Sequence, residues 1–381
     1  MKTVYFDSAA TTQLIPEVIE EVTNVMKTDF GNPSSTHSYG RTAKSLIEKA
    51  RKSVAKHLNI TAAEIFFTSG GTEADNLAIN SAVRDLGVTT IITSKIEHHA
   101  VLYVVNQLKS QYNINVEYVK LDHCGHIDYD NLESLLQANS NVLVSLMHVN
   151  NEIGNILDIK RVGQLCKANN ALFHSDAVQS VGHFKMDLQD INVDFIAVSA
   201  HKFHGPKGVG FAYVKKGSGL RQLIFGGEQE RGLRAGTESV HNIVGLEKAL
   251  DLSYETLEDD KIYISNLKKY FIETLKQAIP NVTFNGNCSC FINSTYTLIN
   301  VCLPVAPEKS PMLLFQLDLK GIACSKGSAC QSGSSKGSHV LSEILSQEDM
   351  QKPSLRFSFS KFNTKEDIDY AVVSLTEIVN Q

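Results

Sequence analysis

Three short stretches carry residues suited to holding a charged, carbonyl-bearing group. Ser199-Ala-His-Lys-Phe-His-Gly-Pro-Lys-Gly208 sets Lys202 just beyond an apolar run. Lysine is rarely buried unless paired, and a desolvated lysine can lose its proton and form a Schiff base. A lone lysine there more often reads as a surface residue whose stem lies on the fold and whose ammonium stays in water. His174-Ser-Asp-Ala-Val-Gln179 sets Asp176 beyond another apolar run, where an aspartate also serves as a helix cap. Thr68–Asn76 (TSGGTEADN) follows a third run and opens a helical pattern. Its glycines permit a sharp turn, and Thr72 with the free amides of a helix start can receive a phosphate. A tight turn with an N-cap threonine fits the same residues, and no Gly-Lys-Ser/Thr follows to make a P-loop. An anion site, a carboxylate and a lysine at successive strand ends are the three partners pyridoxal 5'-phosphate needs.

The elements that must position them alternate along the chain. Apolar runs fall at Glu64–Thr68, Thr90–Thr93, Val116–Val119, Val142–Met147, Ala171–His174, Phe195–Val198 and Val209–Val214. Helical stretches such as Asp158–Asn169 separate several of them. Continuous Val/Ile/Phe-rich runs divided by helices predict an α/β fold, a mostly parallel seven-stranded sheet covered by helices on both faces. Ligands then bind at the carboxyl ends of the strands. Glu255–Ile279 reads as a long amphipathic helix, with Ile262, Leu267, Phe271 and Leu275 among its apolar positions. Beyond it, runs at Tyr296–Val301, Leu313–Leu317 and Leu355–Phe359 mix with a Ser/Gly-rich stretch, Ser325–Ser338, and a closing helix. This predicts a second, smaller α+β domain. The Ser/Gly-rich composition alone describes a linker, but Cys330 in its middle makes that account incomplete.

Composition narrows the function classes. The 381 residues, 43% hydrophobic and 20% charged, suit a globular protein of about two domains. A formal charge of −5 gives no reason to expect nucleic-acid or anionic-membrane binding. No apolar run reaches the roughly 18 residues of a spanning helix, and the N-terminal run is too short for a signal-peptide core. Seven cysteines are too few and too irregular for a disulfide framework, so a cytoplasmic protein is expected. Metal sites are not expected: Cys288 and Cys290 supply only two ligands, and His201 and His204 lack a nearby third.

Ten ordered motifs, spread almost end to end, resemble those of the cysteine desulfurases, fold-type I pyridoxal-phosphate enzymes of the class V aminotransferase group. They are YFDSAATT at 5–12, FGNPSSTHSYGR at 30–41, FTSGGTEADNLAI at 67–79, SKIEHHAV at 94–101 and MHVNNEIG at 147–154. HSDAVQSVG at 174–182, SAHKFHGPKGVG at 199–210, RGLRAGTESV at 231–240, GSACQSG at 327–333 and LRFSFSKFNT at 355–364 complete the set. The resemblance implies a large cofactor-binding domain over 14–255 and a small domain from 1–13 and 256–381 that carries the catalytic cysteine loop.

By that resemblance Lys202 is the Schiff-base lysine, Asp176 pairs with the pyridine nitrogen, and His98 stacks on the ring and moves the thiol protons. Asn151 and Gln179 hydrogen-bond the ring oxygen, while Gly71, Thr72, Ser199 and His201 belong to the phosphate end. Thr237 of the partner subunit completes it, which implies a homodimer. Arg356, whose fork suits a carboxylate, binds the substrate L-cysteine with help from Asn32. Cys330 is the nucleophile that takes the sulfur and leaves L-alanine. Its small-residue loop resembles the long-loop branch of the family, in which a persulfide travels to an acceptor protein of iron–sulfur assembly or tRNA thiolation. Residues 335–338 read Ser-Lys-Gly-Ser where relatives often carry an acidic-Pro step, and 359–362 read Phe-Ser-Lys-Phe where a Gly-Arg pair is common. Selenocysteine lyase, or another class V carbon–sulfur lyase, is the alternative enzyme. A non-catalytic sulfur-carrier subunit is the alternative of another class, opposed by Lys202, Asp176 and His98 together.

Overall fold

The computed structural model describes residues 2–327 and 337–380. Its strands are β1 (Val4–Tyr5), β2 (Ile65–Thr68), β3 (Thr90–Thr93), β4 (Asn115–Tyr118), β5 (Val142–Ser145), β6 (Leu172–Asp176) and β7 (Phe195–Ser199). They continue with β8 (Gly210–Val214), β9 (Thr283–Phe284), β10 (Leu298–Cys302), β11 (Ile322–Ala323) and β12 (Ser354–Ser358). The seven apolar runs of the first half became the seven strands of one sheet, ordered β2-β8-β7-β6-β5-β3-β4. It is parallel throughout except around β8, which runs antiparallel to both β2 and β7.

Both faces of this sheet are buried, which is why its strands read as unbroken apolar runs. Successive residues alternate between two cores. Ile65, Phe67, Ile92, Val144, Ile196, Val198 and Phe211 join one core, with the helices Ser38–His57 and Val240–Glu255. Phe66, Ile91, Leu143, Phe195, Ala197 and Ala212 join the other, with the helices Gly71–Leu86 and His99–Tyr112. Local signals fix the helix starts: Asp158 accepts from the Arg161 amide to cap Ile159–Ala168, and Pro16 occupies the first turn of Pro16–Thr28.

A third core gathers Phe6, Leu267, Phe271, Leu275, Ile299, Val301, Leu355 and Phe357, so the chain's start packs with its last third. There β9, β10 and β12 form an antiparallel sheet, and β1 pairs in parallel with β11. Two details differ from the sequence expectation. The helix expected over Glu255–Ile279 runs from Leu257 to Ala278, directly after a separate helix Val240–Glu255, but Ile262 is exposed and Ile264 is buried in its place. The run Leu313–Leu317 lies in the helix Ser310–Leu319, which is apolar all round; Leu313 and Leu317 face the core and Met312, Phe315 and Leu319 face solvent.

Candidate active site

Because β8 is antiparallel to both neighbours, β2 and β7 point the same way, and so do β6, β5 and β3. Their carboxyl ends share one edge, and a cavity of about 190 Å³ opens there. Gly71, Thr72, His98, Asn151 and Asp176 line it. So do Gln179, Ser199, His201, Lys202 and Arg356, the last from β12. Ten of the expected residues thus meet in one place. Thr237 does not join them within the chain: it is exposed and lines a separate cavity with Gly208 and Glu238. Asn32 is exposed too, its Oδ1 accepting from the Ser34 amide at 2.9 Å, and is not among the cavity residues. Cys330 lies outside the described residues.

Lys202 ends a single helical turn directly after β7. Its Nζ donates to the carbonyls of Ala9 at 2.5 Å and Ala10 at 2.9 Å, so the N-terminal segment holds the ammonium at the cavity wall. Gln179 donates to the same Ala9 carbonyl at 2.9 Å. The His201 carbonyl accepts from the Thr12 amide, and its Nδ1 lies 3.1 Å from Thr11 Oγ1.

Asp176 ends β6, and its Oδ1 accepts from the Val178 amide at 2.9 Å. Burial, then the nearby Asp75 carboxyl, pushes Asp176 up to about 7. Asp75 lies one turn into the helix Gly71–Leu86, wholly buried, with neither oxygen hydrogen-bonded among the described residues; burial raises it well above the carboxylate range. His174 Nε2 stands 3.3 Å from it. Sequence reasoning missed Asp75, although its place four residues after Gly71 puts it on the same helix face. It also missed Asp7, which pairs with Arg356 Nη2 at 2.9 Å, while Nη1 donates to the Asn151 carbonyl at 2.8 Å. Arg356 is 1% exposed, and its Nε has no hydrogen-bond partner among the described residues.

His98 is the N-cap of the helix His99–Tyr112, its Nδ1 accepting from the Ala100 amide at 3.1 Å. The neutral ring therefore carries its proton on Nε2. Burial, then the positive charge of Lys202, pulls His98 down to about 4, so it is neutral over the physiological range.

These residues fit pyridoxal phosphate on three observations. The turn at Gly70, with φ +150° and no side-chain cap, leaves the first amides of a 16-residue helix without a cap beside Thr72 and Ser199, which suits a phosphate. Asp176 is a buried carboxyl held up by its surroundings, which a protonated ring nitrogen would return to the ionised form. Lys202 enters the same cavity.

The chain belongs to the class-V aminotransferase family, whose model matches residues 4–371. The class-V aminotransferases and the cysteine desulfurases are pyridoxal-phosphate enzymes. Within the family it is similar to proteins named cysteine desulfurase IscS: 43% identical to that of Clostridium botulinum, covering 100% of this chain and 95% of the relative. It is 41% identical to that of Methanosarcina thermophila, covering 100% and 93%. A solved structure of a NifS-like protein superposes with a TM-score of 0.91 at 35% identity, covering 100% of both chains. Another, SspA in complex with cysteine, gives 0.81 at 31% identity, covering 95% of this chain and 100% of that one. No helix among the described residues is long and apolar enough to cross a membrane.

Proposed function

We propose that this protein is a cysteine desulfurase that uses pyridoxal 5'-phosphate to move sulfur from L-cysteine onto Cys330, releasing L-alanine. The observation that carries this reading is the meeting of Lys202, Asp176, the Gly70–Thr72 helix start and Arg356 around one cavity.

When bound, the cofactor supplies an aldehyde that takes up the substrate amine and a ring that draws electrons from the bonds at its α-carbon. Asp176 would face the ring nitrogen and keep it protonated, with Asn151 and Gln179 at the ring oxygen. Gly71, Thr72, Ser199 and His201 would hold the phosphate. Arg356 would bind the carboxylate of L-cysteine through its donors, its fork already aligned by Asp7 and the Asn151 carbonyl. Lys202, released from its covalent role, takes the α-proton on Nζ and returns it to carbon. His98, neutral and protonated on Nε2, moves the thiol protons at the sulfur end of the cavity. The Cys330 thiolate attacks the substrate sulfur; one carbon–sulfur bond breaks, one sulfur–sulfur bond forms, and the carbon skeleton gains a proton. Cysteine and the thiol become alanine and the persulfide, with no other oxidant or reductant.

The same reading makes the protein a homodimer, since Thr237, exposed in one chain, then serves the phosphate of the other. Asn32, equally exposed, assists with the carboxylate. Residues 14–255 form the large domain, and 1–13 with 256–381 the small one, in keeping with the third core. The persulfide passes to an acceptor protein of iron–sulfur assembly or tRNA thiolation in the cytoplasm.

The test is direct. Purified protein loaded with the cofactor should turn L-cysteine into stoichiometric alanine and leave a mass increment of one sulfur on Cys330. Cys330→Ala should retain the yellow cofactor absorbance and stop turnover. Lys202→Ala should also stop turnover, and borohydride should no longer fix the cofactor to position 202. Undiminished alanine production by Cys330→Ala, or cofactor fixed to another lysine, would reject the assignment.

A further inference from the structure

Glu152 follows Asn151 in the loop after β5, and its side chain is 1% exposed. Its backbone is fixed on two sides. Asn150 Oδ1 accepts from the amides of Glu152 at 2.9 Å and Ile153 at 3.0 Å, and Asn300 of β10 donates to the Glu152 carbonyl at 3.1 Å. The carboxylate points at neither the cavity nor solvent. Ser338 Oγ donates to its Oε2 at 2.5 Å, and His339 Nδ1 lies 4.0 Å from its Oε1. The Oε2 atom also meets Gly327: a Cβ there would stand 2.9 Å from it, so no larger residue passes without displacing the carboxylate.

Gly327 and Ser338 are the two stems of the segment that contains Cys330. The first stem is held to the cavity as well, because Ser325 and Arg356 exchange backbone hydrogen bonds at 3.2 and 2.7 Å. The second is pinned further on: Ser338 caps the helix His339–Ile344, and Val340 and Leu341 pack on Ile153 and Ile96. His339 adds a link to the acid/base residue. Its Nε2–H donates to the Glu97 carbonyl at 2.9 Å, and its ring lies 4.3 Å from that of His99, the neighbour of His98.

We infer that Glu152 is a positioning residue for sulfur transfer, a buried carboxylate on which both stems of the cysteine-bearing segment converge. This deepens the proposed function and rests on Cys330 being the sulfur acceptor. Three residues extend at most about 10 Å, so where Gly327 is held bounds where the thiol three positions on can act. One rigid post beside the cofactor-pocket residue Asn151 thus sets the thiol's reach. In the relatives' pattern an acidic-Pro step precedes the serine of the second stem; here Lys-Gly replaces that step at 336–337 and Ser338 keeps the hydroxyl, the partner a buried carboxylate requires.

The two half-reactions separate this role from a general structural one. Binding of L-cysteine changes the cofactor's absorbance and does not involve Cys330; persulfide formation does. Single-turnover experiments on loaded protein should show Glu152→Ala with near-normal cofactor content and cysteine-induced absorbance change. Mass spectrometry should show the Cys330 persulfide forming about 10- to 100-fold more slowly, the scale expected for displacement by about 1 Å. Ser338→Ala, which leaves the Glu152 backbone contacts intact, should slow the same step by about 10-fold. The double variant should be no slower than Glu152→Ala, because the two side chains act as one contact. Equal persulfide rates in Ser338→Ala and the unsubstituted protein, or additive losses in the double variant, would overturn the inference. So would parallel loss of cofactor binding and persulfide formation in both single variants. Absence of any Cys330 persulfide in the unsubstituted protein would instead overturn the functional reading, and the inference with it.

Discussion

Gly210→Ala adds one methyl group where two strands and the candidate phosphate turn meet. Gly210 opens β8 and pairs with Thr68 of β2 on one side and Ser199 of β7 on the other. A Cβ there would lie 2.1 Å from the Val198 carbonyl oxygen and 2.8 Å from Gly70 Cα. Both neighbours are backbone, so no rotamer change relieves the contact. Restoring an ordinary carbon–oxygen separation of about 3.3 Å needs a retreat of about 1 Å. The strand end that must retreat carries Ser199, His201 and Lys202. Overpacking of this kind costs about 1–3 kcal/mol of stability, occasionally more, and a shift of about 1 Å at the reacting groups costs about 100-fold in rate. The variant should fold, melt several degrees lower, bind pyridoxal phosphate at least about 10-fold more weakly in an absorbance titration of apoprotein, and lose most of its alanine production. Gly208→Ala is the control. It sits at φ +76° and an added methyl would meet nothing within 4 Å, so backbone strain lowers its melting temperature without pushing the strand end. Binding and turnover by Gly210→Ala equal to those of the unsubstituted protein, or an equal loss of affinity in Gly208→Ala, would refute this.

Two stability experiments bear on the scaffold. Arg51→Leu leaves the Glu230 carboxylate, 4% exposed, without the guanidinium that grips it at 2.6 and 2.9 Å. Chemical denaturation should show a loss of about 3–5 kcal/mol, partly recovered by adding Glu230→Gln; a loss below about 1 kcal/mol would contradict it. His148 and His174 are buried, and burial pulls both down to about 4. The native protein keeps them neutral while the unfolded chain takes up protons near 6.5. Their contribution is therefore complete above about pH 6.5 and lost as pH falls through about 4. The urea midpoint should fall steadily across that window, less steeply in His148→Asn, and a flat midpoint would refute the account.

Much of this was legible in the residues, for a physical reason. A sheet buried on both faces favours apolar side chains along most of each strand, so each strand announced itself and each strand end could be searched for chemistry. Lys202, Asp176 and Thr72 were found that way. Strand order was not legible, because it depends on crossovers and on the single antiparallel insertion of β8. Leu313–Leu317 hid its helix, since Met312, Phe315 and Leu319 make the solvent face apolar and erase the period. Asp7, Asp75 and Glu152 escaped because their partners lie far away in sequence: Arg356, His174 and Ser338 reach them only through the tertiary fold. Thr237 and Asn32 show the other limit, for a single chain does not bring them to the cavity.

The hold of Ala9 and Ala10 on Lys202, and of Asp7 on Arg356, bears on when the protein becomes competent during its own synthesis. Asp7 leaves the ribosome 349 positions ahead of its partner, roughly 20–70 s at about 5–20 residues per second. Ala9, Ala10 and Thr12 find Lys202 and His201 well before that, but until the last strand emerges Phe6 and Asp7 lack Ser358 and Arg356, their partners there. A nascent chain can complete its large sheet early, yet it gains the carboxylate-binding arginine only once β12 has left the ribosome.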